Sequence, residues 1–247
     1  MEACLKNLEM NSNIQILKEY FDRTHLYLNK PFGIQIRASL VKELIGEVQN
    51  VSVLDVGCGD GKVSLQFASR NQVMLLDISD QMLNLARFNT PEKYKANVAF
   101  LNTDFMSYKP DMGFDVVICL GVLAYVDSLD SAIQKLSSLT KPGGYCIIQF
   151  TDHNRPIAKI NHCYFTFYRN FTKSRKYSIN LINACIISDL CRKSNLEKVK
   201  EYRYSIILPG MSKIFSNSFL YRLEMMTLRN RFLSNLGPEI LLLAKKI

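Results

Sequence analysis

The sequence predicts a doubly wound, mostly parallel seven-stranded α/β sheet with helices on both faces, an N-terminal helical extension and a C-terminal insertion or lid. Two patterns carry this expectation. From Val51 to Phe150, short apolar strands alternate with amphipathic stretches, the signature of a parallel sheet covered on both faces. One of these strands also runs directly into a glycine loop that opens the next element. The length, 247 residues, suffices for a single domain over 1–247 with its own core.

Residues 14–48 read as helices interrupted at Asn29-Lys30-Pro31-Phe32-Gly33, so 1–48 is expected to be a helical lid. The core is expected over 49–152. Val51–Val56 is its first strand, Lys62–Ser69 its first helix and Val73–Asp77 its second strand. The next helix starts from Ser79 or Asp80, either of which can accept from free N–H groups. Val98–Asn102, Phe114–Leu120 and Tyr145–Phe150 supply three more strands, with a helix over Ser128–Leu139 and a Pro142-Gly143-Gly144 turn before the last. Residues 153–177 mix aromatic and basic side chains without a strict period. Ser188–Ser194 reads as a helix, Tyr202–Leu208 as a strand and Ser216–Phe232 as an added helix, making 153–235 the substrate-binding insertions. Glu239–Ala244 is the closing strand, within 236–247.

Charge is unevenly spread. Residues 1–152 hold 14 basic and 17 acidic residues, net −3, while residues 153–247 hold 17 and 5, net +12. A basic C-terminal part suits an anionic small molecule, a nucleic acid or a membrane surface, or is simply a solvated face. Seven cysteines without a Cys-x-x-Cys pair or zinc-spaced histidines read as reduced thiols, several of them core fillers. No stretch of about 18 apolar residues occurs and the first residues are polar, so a cytoplasmic protein without a transmembrane segment is expected. No metal constellation is evident.

The chemistry concentrates at Val53-Leu54-Asp55-Val56-Gly57-Cys58-Gly59-Asp60-Gly61. Glycines here permit positive φ and leave bare backbone for a ligand at the carboxyl end of a strand. A dinucleotide loop reads Gly-x-Gly-x-x-Gly, whereas this one reads Gly-x-Gly-x-Gly and is preceded by Asp55. An acidic entrance repels phosphate and attracts an ammonium.

Asp55-Val56-Gly57-Cys58-Gly59-Asp60-Gly61 resembles the first motif of the class I S-adenosylmethionine-dependent methyltransferases, a Rossmann-like family. Further landmarks follow in register over about residues 45–152: Asp77 ending the second strand, Asp104-Phe105 after the third, Phe114–Leu123 for the fourth and Leu139–Gly144 before the fifth. The resemblance implies S-adenosylmethionine as cofactor, with S-adenosylhomocysteine as its product. It implies that Asp77, with Ile78 beside it, holds the ribose hydroxyls. Asp104 and Phe105 would meet the adenine, and Leu120 and Gly121 would lie along the methionine part, with Gly57, Cys58 and Gly59 forming the loop. Tyr20 and Tyr27 resemble the aromatic segment that closes over the cofactor in small-molecule members. The alternative for these two tyrosines is anchoring helices on the sheet.

The donor methyl is already activated, so the protein mainly aligns the acceptor and excludes water. Where family members carry a histidine or glutamate after the fourth strand, this chain has Tyr125, a poor base at an ordinary pKa of ~10. Asp152 and His153, just past the fifth strand, are the better base candidates, and His153 has the more suitable pKa. The expected activity is methyl transfer to an O or N atom of a small-molecule acceptor, which, if anionic, would be held by Arg155, Lys159 or Arg169. The rival readings are an RNA methyltransferase, a lipid-like acceptor or membrane-surface site near the apolar clusters of 206–223, and a non-enzymatic regulatory subunit. No separate RNA-binding module is evident, which disfavours nucleic acid. A homodimer is compatible with the apolar insertion faces.

Overall fold

The computed structural model describes residues 15–23, 31–171 and 179–247. Its seven strands are β1 (Ser52–Val56), β2 (Gln72–Asp77), β3 (Val98–Asn102), β4 (Phe114–Leu120), β5 (Thr140–Thr151), β6 (Leu196–Tyr204) and β7 (Glu239–Lys246). They form one sheet in the order β3-β2-β1-β4-β5-β7-β6. The first five run parallel, and β7 is antiparallel to both β5 and β6. The order reverses between β1 and β4, which opens a crevice beyond their carboxyl ends.

The helices are α1 (Pro31–Ile45), α2 (Asp80–Asn89), α3 (Leu129–Leu139), α4 (Pro156–Phe171), α5 (Ala184–Lys193) and α6 (Asn217–Arg229), with residues 15–21 also helical. Strand alternation divides the core into two layers. Leu54, Val56, Val117, Cys119, Cys146 and Ile148 face α3 and α5 through Ile133, Leu136, Leu139, Ile187 and Cys191. Val53, Val73, Leu75, Val116, Ile118 and Ile147 face α1 and α2 through Leu40, Val41, Leu83 and Ala86, with Tyr221 and Leu228 of α6 packed on the same layer. Each large apolar side chain so enclosed contributes roughly 1.5–3 kcal/mol. Six cysteines are free thiols, four of them buried, and Cys4 lies outside the described residues.

Several local expectations shift. Pro31 begins α1 rather than breaking a helix, since the first helical position needs no N–H. Residues 62–69 make turns and a short 3-10 helix (Leu65–Phe67) in place of an α-helix. There Ser64 reaches back to β1 and the Gln66 amide donates to the Val63 carbonyl, so side chains take up groups that a helix would use. The strand expected at Tyr145–Phe150 starts at Thr140, with Lys141–Gly144 absorbed in a register shift between Phe114 and Val116. Residues 156–171, read as aperiodic, form α4, whose Ile160, Tyr164 and Phe167 are exposed while Ala158 is buried, so its large apolar residues mark no buried face. The strand expected at Tyr202–Leu208 lies at Leu196–Tyr204, a charged edge strand whose polarity hides it from an apolar search. Ser79, Ser128 and Ser216 cap their helices through side-chain oxygens.

Candidate active site

The carboxyl ends of β1 and β4 deliver Asp55, Gly57, Cys58 and Leu120 to one cleft, which Ile34, Arg37 and Val63 also line. The glycine loop has left-handed backbone at Gly57, where φ is 68°. A Cβ there would stand 2.4 Å from Val122 Cγ2, so only glycine lets the loop pass under the segment after β4. The Gly57 and Cys58 N–H groups donate to the Leu76 carbonyl at 2.8 and 3.1 Å, tying the loop to β2.

Asp55 is buried at the cleft floor, and Ser64 Oγ donates to its Oδ2 at 2.5 Å. Burial pushes its carboxyl up to about 7; the Ser64 bond opposes this, and the nearby Asp77 and Asp60 charges add to it. Burial also pushes the Cys58 thiol well above its usual range, with Asp55 and Asp77 contributing, so Cys58 acts as a wall and not a nucleophile. Arg37 of α1, which sequence reading did not single out, lines the same cleft as Asp55. It lies in no motif, and only the packing of α1 on the sheet brings it to the loop.

Asp77 ends β2. Its Oδ2 accepts from Gly59 N at 2.8 Å and its Oδ1 from Ser79 N at 2.9 Å. Burial raises its pKa, opposed by these backbone donors from Ser79 and Gly59. Each oxygen retains a lone pair, so the carboxylate clamps the loop and can still accept from a diol. Ile78 follows, its carbonyl accepting from the Asn102 amide at 3.0 Å. Past β3, Asp104 is half-buried with its pKa raised by burial, while Met106 N donates to its Oδ1 at 3.2 Å. The Phe105 side chain lies in the core beneath, packed with the α3 layer.

At the end of β4, Gly121 adopts φ 74°. A Cβ there would lie 3.6 Å from Gln149 Oε1 and 3.9 Å from Arg37 Nη1. Gln149 donates through Nε2 to Glu239, which also accepts from Thr151 Oγ1 at 2.7 Å. Gln149 Oε1 is buried without a donor among the described residues. Behind Arg37, burial pushes the Tyr204 phenol up while the guanidinium pulls it down. Fully buried Glu224 of α6 accepts from the N–H groups of Ser205 and Ile206, and Ser205 has φ 75°. A buried carboxylate thus pins a strained corner next to the cleft wall, a role invisible in the sequence of an amphipathic helix.

The N-terminal segment touches both sides of the crevice. Phe21 packs edge-on against Tyr125, with centroids 5.5 Å apart, and Ser79 Oγ donates to Asp22 Oδ1 at 2.6 Å. Tyr20 stacks edge-on with Phe21 at 5.2 Å. Tyr27 and His25 lie outside the described residues.

Neither Tyr125 nor His153 lines the glycine-loop cleft. His153 Nδ1 is 3.1 Å from the Thr151 carbonyl, to which it can only donate, leaving Nε2 unprotonated in the neutral ring. Its ring meets His162 edge-on at 6.3 Å. Asp152, the other base candidate, is buried and held by Arg203 at 3.2 Å and Arg155 at 3.5 Å, so it is a structural anion. Arg155 is therefore partly neutralised, Lys159 is exposed, and the Arg169 side chain lies outside what is described. No group of three His, Cys, Asp or Glu side chains suited to a metal occurs among the described residues.

Comparison with known proteins bears on the family and the fold. The family model described as "Methyltransferase domain" matches residues 47–203. Ubiquinone biosynthesis O-methyltransferase of Nitrosomonas europaea is 32% identical over 126 residues, 48% of this chain and 52% of that protein. The enzyme of the same name from Rickettsia typhi is 30% identical over 148 residues, 55% of this chain and 60% of that one. The chain thus matches about half the length of these curated relatives. Among solved structures, magnesium protoporphyrin IX methyltransferase of Synechocystis, with bound S-adenosylhomocysteine, covers 95% of this chain and all of its own. It superposes with a TM-score of 0.67 at 17% identity, a likeness of fold. N-methyltransferase NodS of Bradyrhizobium japonicum covers 87% of this chain and 97% of its own, with a TM-score of 0.58 at 14% identity.

Proposed function

The chain belongs to the Methyltransferase domain family, and we propose that it transfers a methyl group from S-adenosylmethionine to an oxygen or nitrogen atom of a small-molecule acceptor. The observation that carries this reading is the glycine-lined cleft that Asp55 and Arg37 both border, one strand away from Asp77. A zwitterionic amino acid moiety needs an anion for its ammonium and a cation for its carboxylate; Asp55, whose carboxyl burial raises to about 7, ionises once an ammonium lies beside it, and Arg37 supplies the cation. Gln149 Oε1 adds an acceptor beside Gly121. Asp77 offers the two-oxygen geometry that a ribose diol requires, and half-buried Asp104 is the acceptor this reading assigns to the adenine amino group.

When bound, the cofactor supplies a methyl on a positively charged sulfur, so no metal or covalent intermediate is required. The chain's own contributions are placement and exclusion of water. The glycine loop, Leu120 and Gly121 hold the donor end, while residues 15–23 bridge from Ser79 to Tyr125 and shield it. For an oxygen acceptor the candidate proton acceptor is His153 Nε2, whose tautomer is set by the Thr151 carbonyl and which stands outside the glycine-loop cleft, so the acceptor must span the two. The names of the curated relatives favour oxygen. Buried, unpaired thiols favour the cytoplasm, and no helix among the described residues is long and apolar enough to cross a membrane.

The test is calorimetric titration with S-adenosylmethionine and S-adenosylhomocysteine of wild type, Arg37→Ala and Asp77→Ala. Binding by wild type that falls at least roughly tenfold in each variant supports the reading, since a charge-assisted bond contributes about 1.5–3 kcal/mol. Folded wild type that binds neither ligand would overturn it.

A further inference from the structure

Helix α6 has an outward face that the methyl-transfer site does not use. Its Leu220, Glu224 and Thr227 are buried, and Tyr221 and Leu228 pack on the α1 layer of the core. Phe219, Arg222, Met226 and Arg229 occupy the opposite face at helical spacing, and all four are exposed. Phe219 is 47% and Met226 70% exposed, well beyond what a solvated helix face needs. The stripe extends at both ends: Phe215 stacks on Phe219 at 5.1 Å, and beyond the helix Phe232 is 76% exposed. Over residues 205–238 there are four basic residues and a single acid, Glu224, which is buried under the helix. The exposed surface of α6 therefore joins large apolar groups to positive charge.

We propose that this face docks the protein on an anionic lipid surface. Phe215, Phe219, Met226 and Phe232 would enter the boundary between headgroups and acyl chains, and the guanidinium groups of Arg222 and Arg229 would meet lipid phosphates. Arginine suits this place because its aliphatic stem lies along apolar surface while its head reaches the phosphate level. Charge complementarity selects this partner. A second copy of the chain would set Arg222 and Arg229 against their own equivalents across a two-fold axis, which repels. Docking through α6 leaves the core free, and because α6 braces α1 through Tyr221 and Ser39, whose hydroxyls are 3.0 Å apart, it holds the cleft close to the surface.

The experiment is co-sedimentation of the full chain with phosphatidylcholine vesicles, with or without roughly one third phosphatidylglycerol, at low and high salt. Two paired variants are compared with wild type, Phe219→Ser with Met226→Ser and Arg222→Glu with Arg229→Glu. All four residues are exposed, so both pairs should fold, and circular dichroism checks this. Wild type should partition onto anionic vesicles, less so at high salt, and each pair should lower that partition at least about tenfold. S-adenosylmethionine titration of the same samples separates this proposal from the cofactor reading, because the variants leave the cleft intact. Three outcomes would overturn the docking proposal: no partition of wild type onto anionic vesicles, partition unchanged in both pairs, or a stable wild-type dimer that the serine pair converts to monomer.

Discussion

Gly57→Ala tests the loop geometry most directly. The added methyl would stand 2.4 Å from Val122 Cγ2, and the backbone must hold φ at 68°. A side chain in left-handed backbone costs roughly 1–2 kcal/mol, and forcing a methyl into a packed site typically about 1–3 kcal/mol. Val122 cannot swing aside cheaply, because a β-branched side chain is stiff about χ1. The sum, about 2–5 kcal/mol, is a large part of the ~5–15 kcal/mol that holds a domain together. Urea denaturation should show that loss as a lower midpoint with unchanged slope. Repeating the substitution in a Val122→Ala background separates the two causes. There the steric part vanishes and only about 1–2 kcal/mol of backbone strain should remain. A single variant within about 0.5 kcal/mol of wild type, or the same penalty in both backgrounds, would refute the reasoning.

Two further outcomes concern ionisation and catalysis. Asp55 has a folded pKa of about 7 against an ordinary value of 3.8, so between these values the native state holds a proton that the unfolded chain has released. Stability should therefore fall as pH rises through that window and level off above it. Asp55→Asn should remove this fall, read as a stability difference between variant and wild type that grows from about pH 4 to about 7. Parallel pH profiles would show that the carboxyl is already ionised on folding. Once an acceptor is in hand, His153→Ala should lower turnover by well over tenfold, by roughly 10²–10⁴ for a general base. Near-normal turnover would remove it from the mechanism, and unchanged cofactor affinity would confirm that the cleft is intact.

The parts of the fold that were legible in the sequence are those whose signals are local. Strand β3 and strand β4 lie where alternation and turn residues placed them, and Ser79, one of the two starts read for α2, caps that helix. The glycine loop could be read because its backbone demands are met by only one residue type. Helix α4 and strand β6 were missed or misplaced because their surfaces run against the usual pattern. The first exposes Ile160, Tyr164 and Phe167, and the second is a charged edge. A search for buried apolar periodicity passes over both.

For the candidate site, the sequence by itself located Asp55, the three loop glycines, Asp77 and Gly121, each at or just past the end of a parallel strand. What only the tertiary structure decided are the pairings between distant segments. Arg37 meets the Asp55 cleft because α1 packs on the face that Val53 and Ile118 present. Asp22 reaches Ser79 across 57 positions, and Glu224 is buried against Ser205 although its helix reads as amphipathic. The physical reason is that a strand end or a turn is specified by φ, ψ and side-chain alternation within a few residues. The partner of a buried charge is specified by whichever element the sheet brings beside it, and no short stretch of sequence carries that information.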